Sequence, residues 1–574
     1  MAVGAALLLT LLLPSTALAA RHVYVSNLES PGTANIAGFT LASNGALAPN
    51  GAPGGSGTLG VSGLVGSPDG AHLYGANGDA PGTVGVLAVA ADGTLSPQGS
   101  PAAAGGNQPL FMAIAPDGKH LYVQMNNSNT LSVLAVGTDG SLSPQASGIL
   151  AGTAPSGLAV SPNGKNLYVA DFNGGAAGSV LRFSIGADGG LTPVGSPTPT
   201  GGMAAFQITI TPDGRYLYVT NDNSKDVSGF AIDAAGALTP VPGSPFPTGS
   251  SDFAEAITTT PDGSHLYVAN TEHSISGWNI NPANGALSAV GGSPLTVSPD
   301  TYHAALAVSP DGGQLLAGLS TSSNLNSYAI AANGSISQSA SVSSGGLNPD
   351  FQSVVPRPNQ PPTAAFTTKL LKSGRVHFNA NTSKDADGKV STFRWDFGDG
   401  TPPTDVAKAG TDHTYGVAGK YTATLTTIDN EGCSTQLVFT GQSTLCNGSS
   451  VADAKKGFNA SVQFGLTARK LQRRRLVRAT GLCSTEACNV QVGGSVTVGG
   501  KKLKLRRTRR SLVGGVARTW RIMLPRKARK ALKALPRSKK LSVRITAAAR
   551  AASGQGKNTS RQLTVKVRGR HRGH

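Results

Sequence analysis

Three sets of side chains in this 574-residue chain are of types that do chemistry. Four cysteines stand as two close pairs, Cys433 with Cys446 and Cys483 with Cys488. Such pairs hold a metal, remain free thiols or close short disulfide loops. Neither spacing is the two-residue gap of a zinc knuckle and no His pair lies near, so a metal has little support. The second set is His72, His120 and His265, each one residue before a Leu-Tyr pair. They are copies of one repeat position, belong to different structural units and are not expected to converge. Asn221, Asp222 and Asp226 supply oxygens that suit calcium, but their spacing follows no calcium loop. No metal and no cofactor is expected.

The elements that must position these residues are strands. Gly accounts for 75 residues and charged residues for only 13%, a composition of short strands and tight turns that excludes a largely helical protein. A Pro-(Asp/Asn)-Gly turn recurs in SPDGAHLYGAN (67–77), APDGKHLYVQM (115–125), SPNGKNLYVAD (161–171), TPDGRYLYVTN (211–221), TPDGSHLYVAN (260–270) and SPDGGQLLAGL (309–319). Aligned on the aromatic, the repeat runs Tyr24, Tyr74, Tyr122, Tyr168, Tyr218, Tyr267 and Leu316, in steps of 50, 48, 46, 50, 49 and 49. Each unit holds a strand leading into the turn, the Leu-Tyr-Val strand, a third strand such as 227–232 and a less regular fourth. That is the size of a propeller blade. The first unit lacks its inner strand, and 348–355 has an inner-strand pattern with no Leu-Tyr-Val after it. The two halves complement each other, which predicts a closed ring of seven blades without a free edge.

These repeats resemble the Tyr-Val-Thr-Asn (YVTN) propellers, with Tyr218-Val219-Thr220-Asn221 carrying the signature, and the seven-bladed lactonase family that includes 6-phosphogluconolactonase-like proteins. The resemblance covers about 20–356. It implies a His, Arg and Glu set around the central channel. The corresponding stretches offer Glu255 and His303 as catalytic candidates, either of which could supply the base for lactone opening. No matching Arg is evident: Arg182 falls in an outer strand and Arg215 in a Pro-Asp-Gly turn.

The repeat stops at the proline-rich 356–362. Trp395-Asp396-Phe397-Gly398-Asp399-Gly400, His413-Thr414-Tyr415 and Gly419-Lys420-Tyr421 then resemble a polycystic-kidney-disease-type (PKD) domain, an Ig-like sandwich used as a spacer or contact module. Beyond it, alternating strands such as 489–498, 518–524 and 540–549 place Lys and Arg outward. A short helix is expected between Pro525 and Pro536.

Charge divides the chain sharply. Of 48 Lys/Arg, 33 lie in 451–574 beside only Asp453 and Glu486, which leaves 15 against 27 acids in the first 450 residues. The basic end attracts polyanions. Its scarcity of aromatic residues argues against specific nucleic-acid binding. Residues 1–20 read as an export signal with cleavage between Ala19 and Ala20, although no Lys or Arg precedes the apolar run and the true start is allowed to lie upstream. Export makes two disulfides the expected state of the cysteines. No later segment reads as transmembrane.

The expected protein is all-β: a signal peptide (1–19), a seven-bladed propeller (20–356), a linker (357–362), a PKD-like domain (363–441), a linker (442–455) and a basic β-sandwich-like domain (456–574). Its expected role is that of a secreted, extracellular, envelope-associated binding or adhesion protein. The propeller face would take a glycan or protein ligand, and the basic domain would contact anionic envelope polymers. The alternative is a lactonase-like hydrolase acting in the channel.

Overall fold

The computed structural model describes residues 21–28, 36–55, 61–78, 80–271, 274–297, 303–349, 352–371, 375–461, 463–472, 476–483, 486–536, 539–552 and 559–567. The export signal, with Ala19 and Ala20, lies outside them. No helix among the described residues is long and apolar enough to cross a membrane. The strands fall into two compact units, the first made of 1–362 with 385–389 and 429–450.

In the first unit, seven sheets of four or five strands follow one another as blades. Blade five shows the pattern: inner strand Ala205–Ile210, then Tyr216–Asn221, Asp226–Ile232 and Leu238–Pro240. The turn after the inner strand needs a left-handed residue, which Gly214 supplies at φ +72°. The expected fourth strand splits here: Leu238–Pro240 and Phe246–Pro247 both pair with the third strand. Ring closure follows the expectation. Val354–Pro356 pairs antiparallel with Arg21–Ser26 and supplies the inner strand of blade one.

Apolar side chains on both faces of each sheet form the core between neighbouring blades rather than within one. Tyr218, Val227 and Val241 of blade five pack with Ile257, Leu266, Val268 and Trp278 of blade six. The repeat tyrosine also latches blades together. Tyr24, Tyr122, Tyr168, Tyr218 and Tyr267 donate to the carbonyls of Gly93, Gly189, Gly236, Gly285 and Gly334 in the next blade, at 2.7–3.2 Å. Blade seven has Leu316 at that position, and the hydroxyl of Ser327 reaches Gly45 instead.

The second unit contains 363–384, 390–428 and 451–574. Two sheets enclose Trp395, which is fully buried with Phe366, Phe378 and Phe397 around it. The hydroxyl of Tyr415 donates to Phe397 O at 2.9 Å. The distinct basic sandwich expected over 456–574 is not shown; the basic segments form further sheets within this unit. Asp453–Asn459 is an edge strand of the preceding sheet, paired with Lys420–Asp429. The further sheets, one of Phe464–Thr467, Leu476–Cys483 and Arg518–Met523 and one centred on Cys488–Val498 and Leu541–Ala551, share a core that also takes in Ala418. Apart from Ala418, the core of these sheets is their own and distinct from the core around Trp395. The helix forms at Arg526–Ala534 and buries Ala528 and Leu532. Cys433–Cys446 and Cys483–Cys488 are disulfides.

Candidate functional site

The inner strands surround the channel and all run the same way through it, so the channel has two distinct ends. At one end each inner strand begins beside the end of its second strand: Phe172 N donates to Ala154 O, Asp222 N to Ala204 O and Thr271 N to Phe253 O, each at 2.9 Å. At the other end lie the Pro-Asp/Asn-Gly turns.

The turn end is covered by a segment that the sequence assigns to another domain. Residues 429–450 belong to the propeller unit. Within them, Gly441 O accepts from Val160 N at 2.9 Å and Thr440 O from Ile210 N at 3.0 Å. Gln442 Nε2 donates to Leu158 O and Ile208 O, both at 3.2 Å. Phe439 is fully buried in the core between blades three and four. Gly441 has φ +95°, and a Cβ there would stand 2.7 Å from the Ala159 Cβ, so only glycine approaches this closely. The Cys433–Cys446 disulfide closes the loop that carries this plug. The opposite end is hereafter the mouth.

Glu255 is the second residue of inner strand Ala254–Thr259 and is 7% exposed near the mouth. Its backbone is tied to blade five: Thr220 Oγ1 donates to Glu255 O at 2.9 Å and accepts from Gln207 N at 3.0 Å. His303 opens the inner strand of blade seven, opposite Leu319, in the register position that Ala254 holds opposite Asn270. The two candidates thus occupy adjacent inner strands, one residue apart in depth. Neither arginine joins them: Arg182 donates to Ala235 O on the third-strand side, and Arg215 to Pro282 O.

Gln207 was not singled out by motif. It is 4% exposed, and its Nε2 has no hydrogen-bond acceptor among the described residues. In the equivalent position of blade four, a Cβ on Gly157 would point onto the backbone of Phe206 and Gln207 in the next blade. By that repeat geometry the Gln207 side chain projects toward the Glu255 strand. The alignment holds part of the signal, since Gln207 is polar where blades three, four and six carry Phe111, Gly157 and Ala256, although blade one carries Ser353.

The remaining candidates act within the fold. His72, His120 and His265 each lie under a glycine of the next blade, where a Cβ on Gly140, Gly189 or Gly334 would come within 2.5 Å of the imidazole. They stay one per blade interface. Asn221 Nδ2 donates to Asp226 Oδ1 at 2.6 Å and to Ser228 Oγ at 2.7 Å, which makes this group a loop staple. Burial pushes the Asp222 carboxyl up to about 6. Among the described residues no three His, Cys, Asp or Glu side chains form a metal-holding group.

The family model described as lactonase, seven-bladed β-propeller, matches 33–154, 141–250 and 208–348, and the PKD domain model matches 359–442. Among solved structures, the periplasmic gluconolactonase PpgL of Pseudomonas aeruginosa aligns with a TM-score of 0.51 and 20% identity, covering 59% of this chain and 99% of that one. A Lactobacillus plantarum protein aligns at 0.50 and 18%, covering 59% and 99%. At these identities the likeness shows the fold alone. The curated collagenase ColA of Clostridium perfringens is 35% identical over 89 residues, which span 15% of this chain but 8% of the collagenase.

Proposed function

The chain belongs to the lactonase family of seven-bladed β-propellers, and from that premise we propose that the propeller hydrolyses a lactone at its mouth, with Glu255 as the base. The observation that carries this reading is a nearly buried carboxylate on an inner strand, at the end of the channel that the plug leaves uncovered. In the proposed step Glu255 takes a proton from water as the water oxygen bonds to the lactone carbonyl carbon. The ring C–O bond then breaks, and the leaving alkoxide recovers the proton as the hydroxyl of a hydroxy acid. Gln207 Nε2 is suited to donate to the developing oxyanion. His303, one residue shallower on the next blade, is the alternative base.

Purified full-length protein assayed on a panel of lactones tests this. Glu255→Gln is expected to lose on the order of 100-fold or more in kcat/KM with an unchanged melting temperature. No turnover by the wild type, or equal rates for Glu255→Gln, overturns the reading.

A second reading concerns the basic segments and is compatible with the first. Arg478 stands directly opposite Arg521 across two paired strands. Like charges in that arrangement repel, and an anionic polymer relieves the repulsion. We therefore propose that 451–574 holds the protein on anionic envelope polymers outside the cytoplasm, where two disulfides persist. The propeller would be the part presented to its ligand.

A further inference from the structure

The lining of the mouth speaks to what kind of lactone would enter it. In the register position of Glu255 the neighbouring inner strands carry Phe206 in blade five, Ser156 in blade four and Leu110 in blade three. Phe206 is half-buried and meets Phe111 edge to face, with ring centroids 5.7 Å apart. Phe172, from the loop after the second strand of blade four, closes on it at 6.2 Å. Phe206 and Phe172 therefore form a half-buried aromatic pair on the blades before the carboxylate, packed on Phe111, which is 1% exposed in the core. The rim continues in the same character. Met203 is 48% exposed and Phe253 46%, and each sits one or two residues before an inner strand, at the mouth end of blades five and six.

Charge on this face points the same way. The basic side chains of the propeller are used elsewhere. Lys119, Lys165 and Arg215 stand in Pro-Asp/Asn-Gly turns at the plugged end, Arg21 pairs with Asp311 of another such turn, and Arg357 donates to Gly70 O there. Arg182 donates to Ala235 O in the next blade's outer turn. Lys225 does stand at the mouth, but its ammonium donates to Ser251 O and lies 5.4 Å above the Phe253 ring. Also at this end of the channel are the carboxylates of Asp171, Asp222, Asp226, Asp252 and Glu255. Among the described residues a phosphate dianion would meet five acids and one committed lysine.

From this arrangement we infer that the mouth takes a neutral lactone carrying an apolar chain, with the ring at Glu255 and the chain along Phe206 and Phe172, which the buried Phe111 backs. This inference rests on the hydrolase reading for its chemistry, but the aromatic wall and the charge pattern argue for the ligand class independently. Dispersion and burial along the wall favour each added methylene, while a sugar lactone leaves its hydroxyls against aromatic carbon.

The experiment is a kcat/KM series on full-length protein with γ-lactones whose straight side chains lengthen from ethyl to heptyl. δ-Gluconolactone and its 6-phosphate serve as comparison. The expected result is a rise of about fourfold per methylene until the wall is covered, with the phosphorylated sugar lactone slowest. Phe206→Ala should flatten that slope. Met203→Ser with Phe253→Ser, both exposed and tolerant positions, should shorten the range over which it climbs. A flat series, or a preference for the 6-phosphate, overturns the inference. If no lactone is hydrolysed, the hydrolase reading fails, and binding of the corresponding unreactive alkyl lactams decides the ligand class. A dissociation constant that falls with chain length upholds it, and no binding at any length overturns it too.

Discussion

Tyr218 and Tyr74 occupy the same repeat position, are both fully buried, and differ in one atom's surroundings. The Tyr218 hydroxyl donates to Gly285 O at 2.7 Å, whereas the Tyr74 hydroxyl has no acceptor among the described residues. Removing a buried donor strands its carbonyl and costs about 1–2 kcal/mol, while removing an unsatisfied hydroxyl costs nothing comparable. Tyr218→Phe should therefore lower the midpoint of denaturant unfolding, and Tyr74→Phe should leave it unchanged or raise it. Equal shifts in the two variants would mean that the hydroxyl does not act as a latch. The aromatic period was legible in the sequence, and so was its core role, because six of the seven copies carry it. The hydroxyl's partner was not legible, since it lies in the next blade some 67–69 residues away. Phe206 and Gln207 stayed hidden for a related reason: an apolar or amide residue on an inner strand reads as core until the register shows which blade end it occupies.

At the scale of elements, the inner strands and the plug define the site together. Blade number, turn chemistry and closure by the 348–355 region could all be read from the repeat, but not the split of the fourth strand. The plug could not, because 429–450 is contiguous with the PKD-like sequence and only its hydrogen bonds to Val160 and Ile210 assign it to the propeller. The plug carries a titration signature. Its base includes Asp385, Asp387 and Asp429, with Asn359 Nδ2 donating to Asp429 Oδ2 at 2.9 Å. Burial, then the neighbouring Asp387 and Asp429 carboxylates, push Asp385 up to about 7. Burial also pushes Glu431 up to about 7, against the opposing pull of Arg21. Both groups stay protonated in the folded chain while the unfolded chain has already released its protons, between roughly pH 4 and pH 7. Their contribution to stability is thus full at the acid end and is lost as pH rises through 7. Calorimetric melting of the propeller should move down between about pH 4 and pH 7, and Asp385→Asn with Glu431→Gln should flatten the trend. A melting temperature that climbs over this interval in the wild type would show that these carboxyls are not the controlling groups.

The whole molecule segregates its charge by segment, and this decides how the chain would be held in place. The propeller's mouth collects carboxylates, while 451–574 carries 33 Lys/Arg beside two acids. Along Leu541–Ala551 burial alternates strictly, which turns Arg544 and Arg550 outward, and in Arg518–Met523 it turns Arg521 outward opposite Arg478. Sequence periodicity predicted this outward pattern; it could not predict that Asp453–Asn459 would extend the sandwich sheet instead of beginning a new one. On the proposal made above, such a surface would bind through many weak, screened contacts, so its affinity would depend on salt, and tethering would raise the local concentration of propeller at the polymer. Full-length protein on immobilised polyphosphate should therefore be retained at low salt and released as salt rises. Arg478→Ser with Arg521→Ser should reduce the slope of log affinity against log salt by on the order of one per lost contact. Because the two arginines face each other in the unbound chain, the same double variant should also raise the melting temperature slightly. Retention that ignores salt, or a slope untouched by the double variant, would locate the polymer contact elsewhere. A lowered melting temperature would show instead that these arginines hold the sheet together.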